Sequence, residues 1–357
     1  MPILNESVCP GSCLEYQSVN DKMIKLTLTQ IQSFYRVNKM KYIQSFPKNI
    51  ITGTTKCLLL LILATVINVT FTTFSNAKGT LQVTVSILPQ RYFVEKIAKD
   101  LVKVSVIVQP GSNPATYEPK PSQMTALTDS EIYFAIGVPF ENAWLKKFSS
   151  INPKMLIINT DASITKRKMI GIHHFNHEHK DTESAVGYND SLKTAGLDPH
   201  IWLSPPLVKK QAQIIADTLI KADPSRKEVY EQNLSQFQYD LDKLDSEIRA
   251  IFHGRVKRTD FLVFHPSWGY FAEAYGLKQI PVEIEGKEPG AKEMANLIKY
   301  AKKSGINAIF IQPQFPSKNA EVIAREINAR VIIADPLSEN WMKNLWEIAK
   351  KFSSALN

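Results

Sequence analysis

The chain is expected to fold as an α/β protein of two (β/α) lobes, each with a mostly parallel sheet, joined by one long helix. Two observations lead to this class. Strand-length apolar runs alternate with helical patterns in both halves of the chain, an order that builds parallel sheets covered on both faces. Between the halves, Tyr230, Leu234, Phe237, Leu241, Leu244, Ile248 and Ile251 recur at steps of 4, 3, 4, 3, 4 and 3. That spacing lays one apolar stripe along a helix of about 27 residues, roughly 40 Å at ~1.5 Å per residue, long enough to cross from lobe to lobe.

The elements follow in order. "LQVTVSI" (81–87) reads as a strand, "YFVEKIAKDL" as a helix, and "VKVSVIVQP" as a strand ending at Pro110. "SQMTALT" is a short helix started by Pro119 and Pro121; "IYFAIG", "ENAWLKKFSS" and "MLIINT" continue as strand, helix and strand. Residues 161–197 are polar and without period, and read as a long, mobile loop. One helix runs from Pro205 to about Ala222, and the striped helix from Arg226 to Phe252. The alternation then resumes with "FLVF", a helix through "YFAEAYGL", "QIPVEI", a helix over 291–304, "NAIFIQ", a helix over 318–327, "RVIIA" and a last helix from Asn340. The expected organisation is an N-terminal extension with signal peptide (1–77), a first lobe (78–225) carrying the loop, the linking helix (226–252) and a second lobe (253–357).

The 357 residues are 44% hydrophobic and 22% charged, a globular composition. Of the net charge of +9, residues 1–77 carry +4, and the remaining +5 is evenly mixed. No basic stripe interleaved with aromatics stands out, so no nucleic-acid partner is expected. "CLLLLILATVINVTF" follows several lysines and leads to Ser75-Asn76-Ala77, the pattern of a secretory signal cut after Ala77; the alternative is an uncleaved anchor. Cys9, Cys13 and Cys57 all precede that cut. The mature chain would then lack disulfides and thiolate ligands, as a soluble periplasmic protein can.

Chemistry is expected beyond the carboxyl ends of the strands, where open α/β sheets bind ligands. His265 follows "FLVF", Asp335 follows "RVIIA", and His200 sits in the Pro-bounded turn "DPHIWLSP". Two imidazoles and a carboxylate suit a borderline divalent ion such as zinc. Each also has an ordinary reading: a loop or capping histidine, or a turn-starting aspartate. His253, at the end of the striped helix, fits a helix terminus. His173, His174, His177 and His179 crowd the loop as "HHFNHEH", either as an accessory metal site or as incidental residues of a solvated segment. Trp202 and Trp268 either dry the cleft or belong to an ordinary core. Glu283, Glu285 and Glu288, near a strand end, read as a surface patch near the cleft, either for docking or as a solvated face; the sequence does not decide between them.

"GSNPATYEPKPSQM", "DPHIWLSP", "VFHPSWGYFAEAYGL" and "IIADPLSENW", in that order around a long helix, resemble the zinc/manganese solute-binding proteins of ABC importers. The resemblance covers the chain from Leu81 to about Phe352. It implies a rigid linking helix, one metal in the cleft between lobes and delivery to an inner-membrane permease, with Zn²⁺ as transported ligand ahead of Mn²⁺. It matches His200, His265 and Asp335 to expected ligands. At the first motif this chain departs from the pattern: Pro114-Ala115-Thr116-Tyr117-Glu118-Pro119 has alanine where an imidazole is usual. Water, a histidine from the 173–179 loop, or Glu118 is left to complete the shell. The protein is expected to be a monomer and not an enzyme. The competing readings are a zinc hydrolase with a three-ligand open site, and a zinc-storage or adhesion protein. Protonation of the two site histidines below about pH 6 is expected to weaken binding.

Overall fold

The structure, a computed structural model, describes residues 80–169, 196–283, 289–316 and 318–357. Its first sheet is built from β1 (Leu81–Val85), β2 (Val102–Val106), β3 (Ile132–Ala135) and β4 (Leu156–Asn159). All neighbours pair in parallel, in the order β2-β1-β3-β4. Three helices connect these strands: α1 (Leu88–Ala98), α2 (Pro121–Ala126) and α3 (Pro139–Ile151). Each begins on proline within its first two residues, where a missing N–H costs nothing and φ is already helical.

Then come α4 (Pro205–Ala222) and α5 (Lys227–Phe252), the longest helix described, at 26 residues. The second sheet contains β5 (Asp260–Val263), β6 (Lys278–Pro281), β7 (Ala308–Ile311) and β8 (Arg330–Ile333), again all parallel and in the order β6-β5-β7-β8. Its helices are α6 (Gly269–Ala274), α7 (Ala291–Lys303) and α8 (Lys318–Ile327), and α9 (Trp341–Leu356) closes the chain. The two sheets therefore share one strand order, and the order in which successive strands are added reverses beside β1 and beside β5.

Among the described residues the strands and helices agree with the sequence reading and their ends differ; most of the loop expected over 161–197 lies outside the described residues. The strands stop one to four residues short of the apolar runs that announce them. In "VKVSVIVQP" the strand ends at Val106, although the buried Ile107 and Val108 still donate their amides to the Val85 and Ser86 carbonyls at 3.0 and 2.9 Å. The helix announced by "YFVEKIAKDL" starts earlier, at Leu88, and its last three residues tighten into a 3₁₀ turn. His253 is the C-cap of α5.

The predicted stripe of α5 is buried from Tyr230 to Ile248, and Phe252 takes the final place in preference to Ile251. It packs on α1, α4 and α9. Phe237 lies 6.0 Å from Phe93 of α1, and Phe93 lies 5.1 Å edge-on from Trp341 of α9. One continuous apolar cluster thus runs from the first sheet through α1, α4, α5 and α9 to one face of the second sheet, while α7 and α8 cover the other face. Pulling the halves apart would expose such rings at roughly 1.5–3 kcal/mol per large side chain, which opposes wide hinge opening.

Among the described residues no helix is long and apolar enough to cross a membrane. The apolar segment 57–71 and the cut expected after Ala77 lie outside the described residues.

Phe237 sits at the junction of three helices and is almost fully buried. Phe237→Ala is expected to lower the unfolding free energy by about 3–5 kcal/mol through lost burial and a residual cavity. Denaturant titration checks this, and a change under about 1 kcal/mol would show that the junction carries little of the fold.

Candidate metal centre

The loops at the carboxyl ends of both sheets meet around one cavity of about 400 Å³. Val138 and Pro139 follow β3, His265 and Pro266 follow β5, Glu283 follows β6, Gln314 and Phe315 follow β7, and Pro336 and Leu337 follow β8. The turn 199–202 supplies His200 and Trp202, and the 113–116 loop supplies Ala115.

His200 is held from behind. Asp198 Oδ1 accepts the His200 backbone N–H at 3.0 Å and lies 2.8 Å from its Nδ1. Asp198 is itself buried and fixed: its other carboxylate oxygen lies 3.9 Å from the Arg167 guanidinium, and its backbone carbonyl accepts from the Tyr270 hydroxyl at 3.0 Å. This crowding explains Gly269, the first residue of α6. A Cβ there would stand 2.9 Å from Asp198 Oδ2 and 3.1 Å from the Arg167 guanidinium carbon.

His265 is held in the same manner by different residues. Its Nδ1 lies 3.2 Å from Glu283 Oε2. The Gln312 side chain clamps its backbone: Oε1 accepts the His265 N–H at 3.2 Å, and Nε2 donates to the His265 carbonyl at 2.7 Å. Its ring stacks on Phe315, centroids 4.7 Å apart.

With both Nδ1 atoms occupied by carboxylates, Nε2 is the nitrogen each ring has left for an ion, and a carboxylate behind it raises its donor strength. The ring centroids are 5.2 Å apart. An ion bound at ~2.1 Å to each nitrogen lies ~3.2 Å from each ring centre, and a tetrahedral angle then separates the centres by roughly 5 Å. The observed centroid spacing leaves room for one ion between the two rings, which meet edge-on at 70°.

Burial lowers the pKa of His200 below its ordinary 6.5, against the opposing pull of the Asp198 hydrogen bond. The imidazole is thus kept neutral, the form that ligates.

Of the residues singled out by sequence, His200 and His265 are brought together and Asp335 is not gathered with them: among the described residues no group of three His, Cys, Asp or Glu side chains stands close enough to hold an ion. Asp335 does follow β8, but its Oδ1 accepts from the Leu337 amide and from Gln314 Nε2, both at 2.9 Å, so the carboxylate closes a turn. Glu118 is exposed and does not line the cavity. Ala115 lines it and offers only a methyl group. His173, His174, His177 and His179 lie outside the described residues.

Glu283 corrects the reading of a surface patch. It is buried at 4% exposure against His265, while Glu285 and Glu288 lie outside the described residues. The two tryptophans divide. Trp202 lines the cavity beside His200, its Nε1 donating to the Pro336 carbonyl at 2.7 Å while its own carbonyl accepts from Trp341 Nε1 at 2.8 Å. Trp268 packs in the core against Phe271 and Phe352. Sequence reasoning missed Asp198 and Gln312, and named Glu283 without its place behind His265. Asp198 had a signal, two residues before His200 in a Pro-bounded turn; Glu283 and Gln312 are single polar residues in apolar runs and had little.

Comparison with known proteins gives a consistent result. The family described as zinc-uptake complex component A, periplasmic, matches residues 83–355. The high-affinity zinc uptake system protein ZnuA of Bacillus subtilis is 27% identical over 266 residues, covering 74% of this chain and 81% of that protein. The zinc-binding protein AdcA of Streptococcus pyogenes is 29% identical over 271 residues, but this chain spans only 51% of its length. A crystal structure of ZnuA superposes with a TM-score of 0.70 at 42% identity, over 78% of this chain and all of that one. A zinc-bound deletion mutant of ZnuA matches equally well.

A shifted His200 has a direct readout. Because the unfolded chain binds a proton there at about pH 6.5 and the buried ring resists it, the folded state loses stability as pH falls below that value. The His200 ring titration followed by NMR in the metal-free protein is expected to have its midpoint below 6.5; a midpoint at or above 6.5 would contradict the effect of burial.

Proposed function

The chain belongs to the zinc-uptake complex component A family of periplasmic proteins, and from that premise we propose that it carries zinc between the imidazoles of His200 and His265. As a family member it is a solute-binding component of an ABC zinc-uptake system and not an enzyme. The hydrolase and storage readings are not favoured. Zinc is preferred to manganese because imidazole nitrogen suits the former and oxygen donors the latter.

The observation that carries this reading is the pair of carboxylate-backed imidazoles, 5.2 Å apart, that line one cavity. Asp335 is proposed as the carboxylate that joins the ion on loading, by giving up its turn contacts with Gln314 and Leu337. Such an exchange also supplies a route to release: restoring the turn removes a ligand without separating the lobes. The His173–His179 cluster is proposed as an accessory site that raises the local zinc concentration. We further propose lobes at 78–225 and 253–357 about a linking helix at 226–252, export by a signal cut after Ala77, a monomeric working state, and an inner-membrane permease as the receiving partner.

Removing either imidazole leaves one nitrogen where two are needed. His200→Ala and His265→Ala are each expected to weaken zinc binding at least about tenfold, measured by competition calorimetry. Unchanged affinity in both variants would remove the proposed site.

A further inference from the structure

One arginine touches both halves of the metal centre from behind. Arg167 lies on the segment that leads toward His200: its carbonyl accepts the Asp198 amide at 2.8 Å, and the next residue, Lys168, forms an antiparallel bridge with Leu197. Its side chain crosses to α6. There Nη1 donates to the Gly269 carbonyl at 2.5 Å and stands 3.2 Å from Glu273 Oε2. The guanidinium carbon sits 5.8 Å from the centre of the Tyr270 ring. On its other side, Nε stands 3.9 Å from Asp198 Oδ2, an ion-pair distance.

These partners are not incidental to the two imidazoles. Asp198 is two residues before His200 and takes its Nδ1. Gly269 is four residues after His265, and the turn between them is tightened by the Ser267 amide donating to the His265 carbonyl at 2.8 Å. A guanidinium is a planar fork with several donors in fixed directions, so one side chain can brace two groups at once. Tyr270 repeats the link: its hydroxyl accepts the Arg167 amide at 2.9 Å and donates to the Asp198 carbonyl at 3.0 Å. The Asp198 side chain is 2% exposed, and a carboxylate so buried is costly unless a cation stands near it. Arg167 supplies that cation.

We propose that Arg167 is a positioning residue of the metal centre: its guanidinium holds Asp198 and the Gly269 carbonyl together, and so sets the spacing of the His200 and His265 rings. The inference rests on the zinc reading above and deepens it, by naming the side chain that joins the two ligand segments. Arg167 itself does not line the cavity and gives the ion no bond. It acts on zinc through the two rings, and its loss lets them drift from the separation that one ion needs.

Zinc affinity of the full protein, measured by competition calorimetry, tests this in four forms: wild type, Arg167→Met, Arg167→Lys, and Arg167→Met combined with His200→Ala. Methionine keeps much of the apolar stem and removes every donor; lysine keeps the charge and loses the fork. Arg167→Met is expected to weaken zinc binding about 10–100-fold, the range for residues that orient metal ligands, with an unchanged circular dichroism spectrum. Arg167→Lys is expected to remain at least about threefold weaker than wild type, because one ammonium cannot span both partners. On the His200→Ala background there is no ring spacing left to set, so adding Arg167→Met is expected to change affinity by less than about twofold. A merely structural role would lower affinity by the same factor on both backgrounds. If Arg167→Met does not fold, Arg167→Lys carries the same two-background comparison. Wild-type affinity in the Arg167 variants, or an equal loss with and without His200, would overturn the positioning role while leaving zinc carriage intact. No zinc binding by the wild-type protein would overturn both.

Discussion

The separation of two imidazole rings, 5.2 Å between centroids, is the constraint on which the rest of the site depends. His200 and His265 come from different halves of the chain, so their spacing is a property of the whole packed molecule. Each ring is oriented by a carboxylate on Nδ1, Asp198 or Glu283, and each carboxylate is kept in place by burial. Gln312 then fixes the backbone of His265, while Asp198 fixes that of His200. Imidazoles oriented in this way lose little freedom on accepting an ion, which favours tight binding of a scarce metal.

The same spacing is protected at longer range. Trp202 donates to the Pro336 carbonyl and accepts from Trp341, so the turn carrying His200 is tied to the chain beyond β8. Arg167 reaches Gly269 and Glu273 of α6 while its backbone N–H donates to Tyr270. With the aromatic junction of Phe93, Phe237 and Trp341, these contacts make lobe separation costly. Under the proposed function, loading and release would use local exchanges at the cavity, such as the turn closed by Asp335, in place of wide opening about α5.

Much of the fold was legible because its signals are periodic. The stripe of α5 spans seven apolar positions, and proline marks the start of α1, α2, α3 and α4. Strand ends were less legible, because Ile107 and Val108 are as apolar and as buried as the strand they follow and still bond to the Val85 and Ser86 carbonyls, although the strand ends at Val106. In the site, His200 and His265 were legible as unusual residues at element ends. Glu283 was misread as surface, because one glutamate among three in "EIEGKEP" does not announce which of them turns inward. Asp335 was legible by position, but its turn-closing bonds to Leu337 and Gln314 depend on local backbone geometry that sequence does not reveal.

The most direct test is a crystal structure of the zinc-loaded protein with anomalous data at the zinc edge. A single strong peak bonded to the Nε2 atoms of His200 and His265, at about 2.0–2.1 Å from each, is the result that two carboxylate-backed imidazoles require. A zinc peak remote from both rings, with the cavity between them holding no metal, would contradict the account.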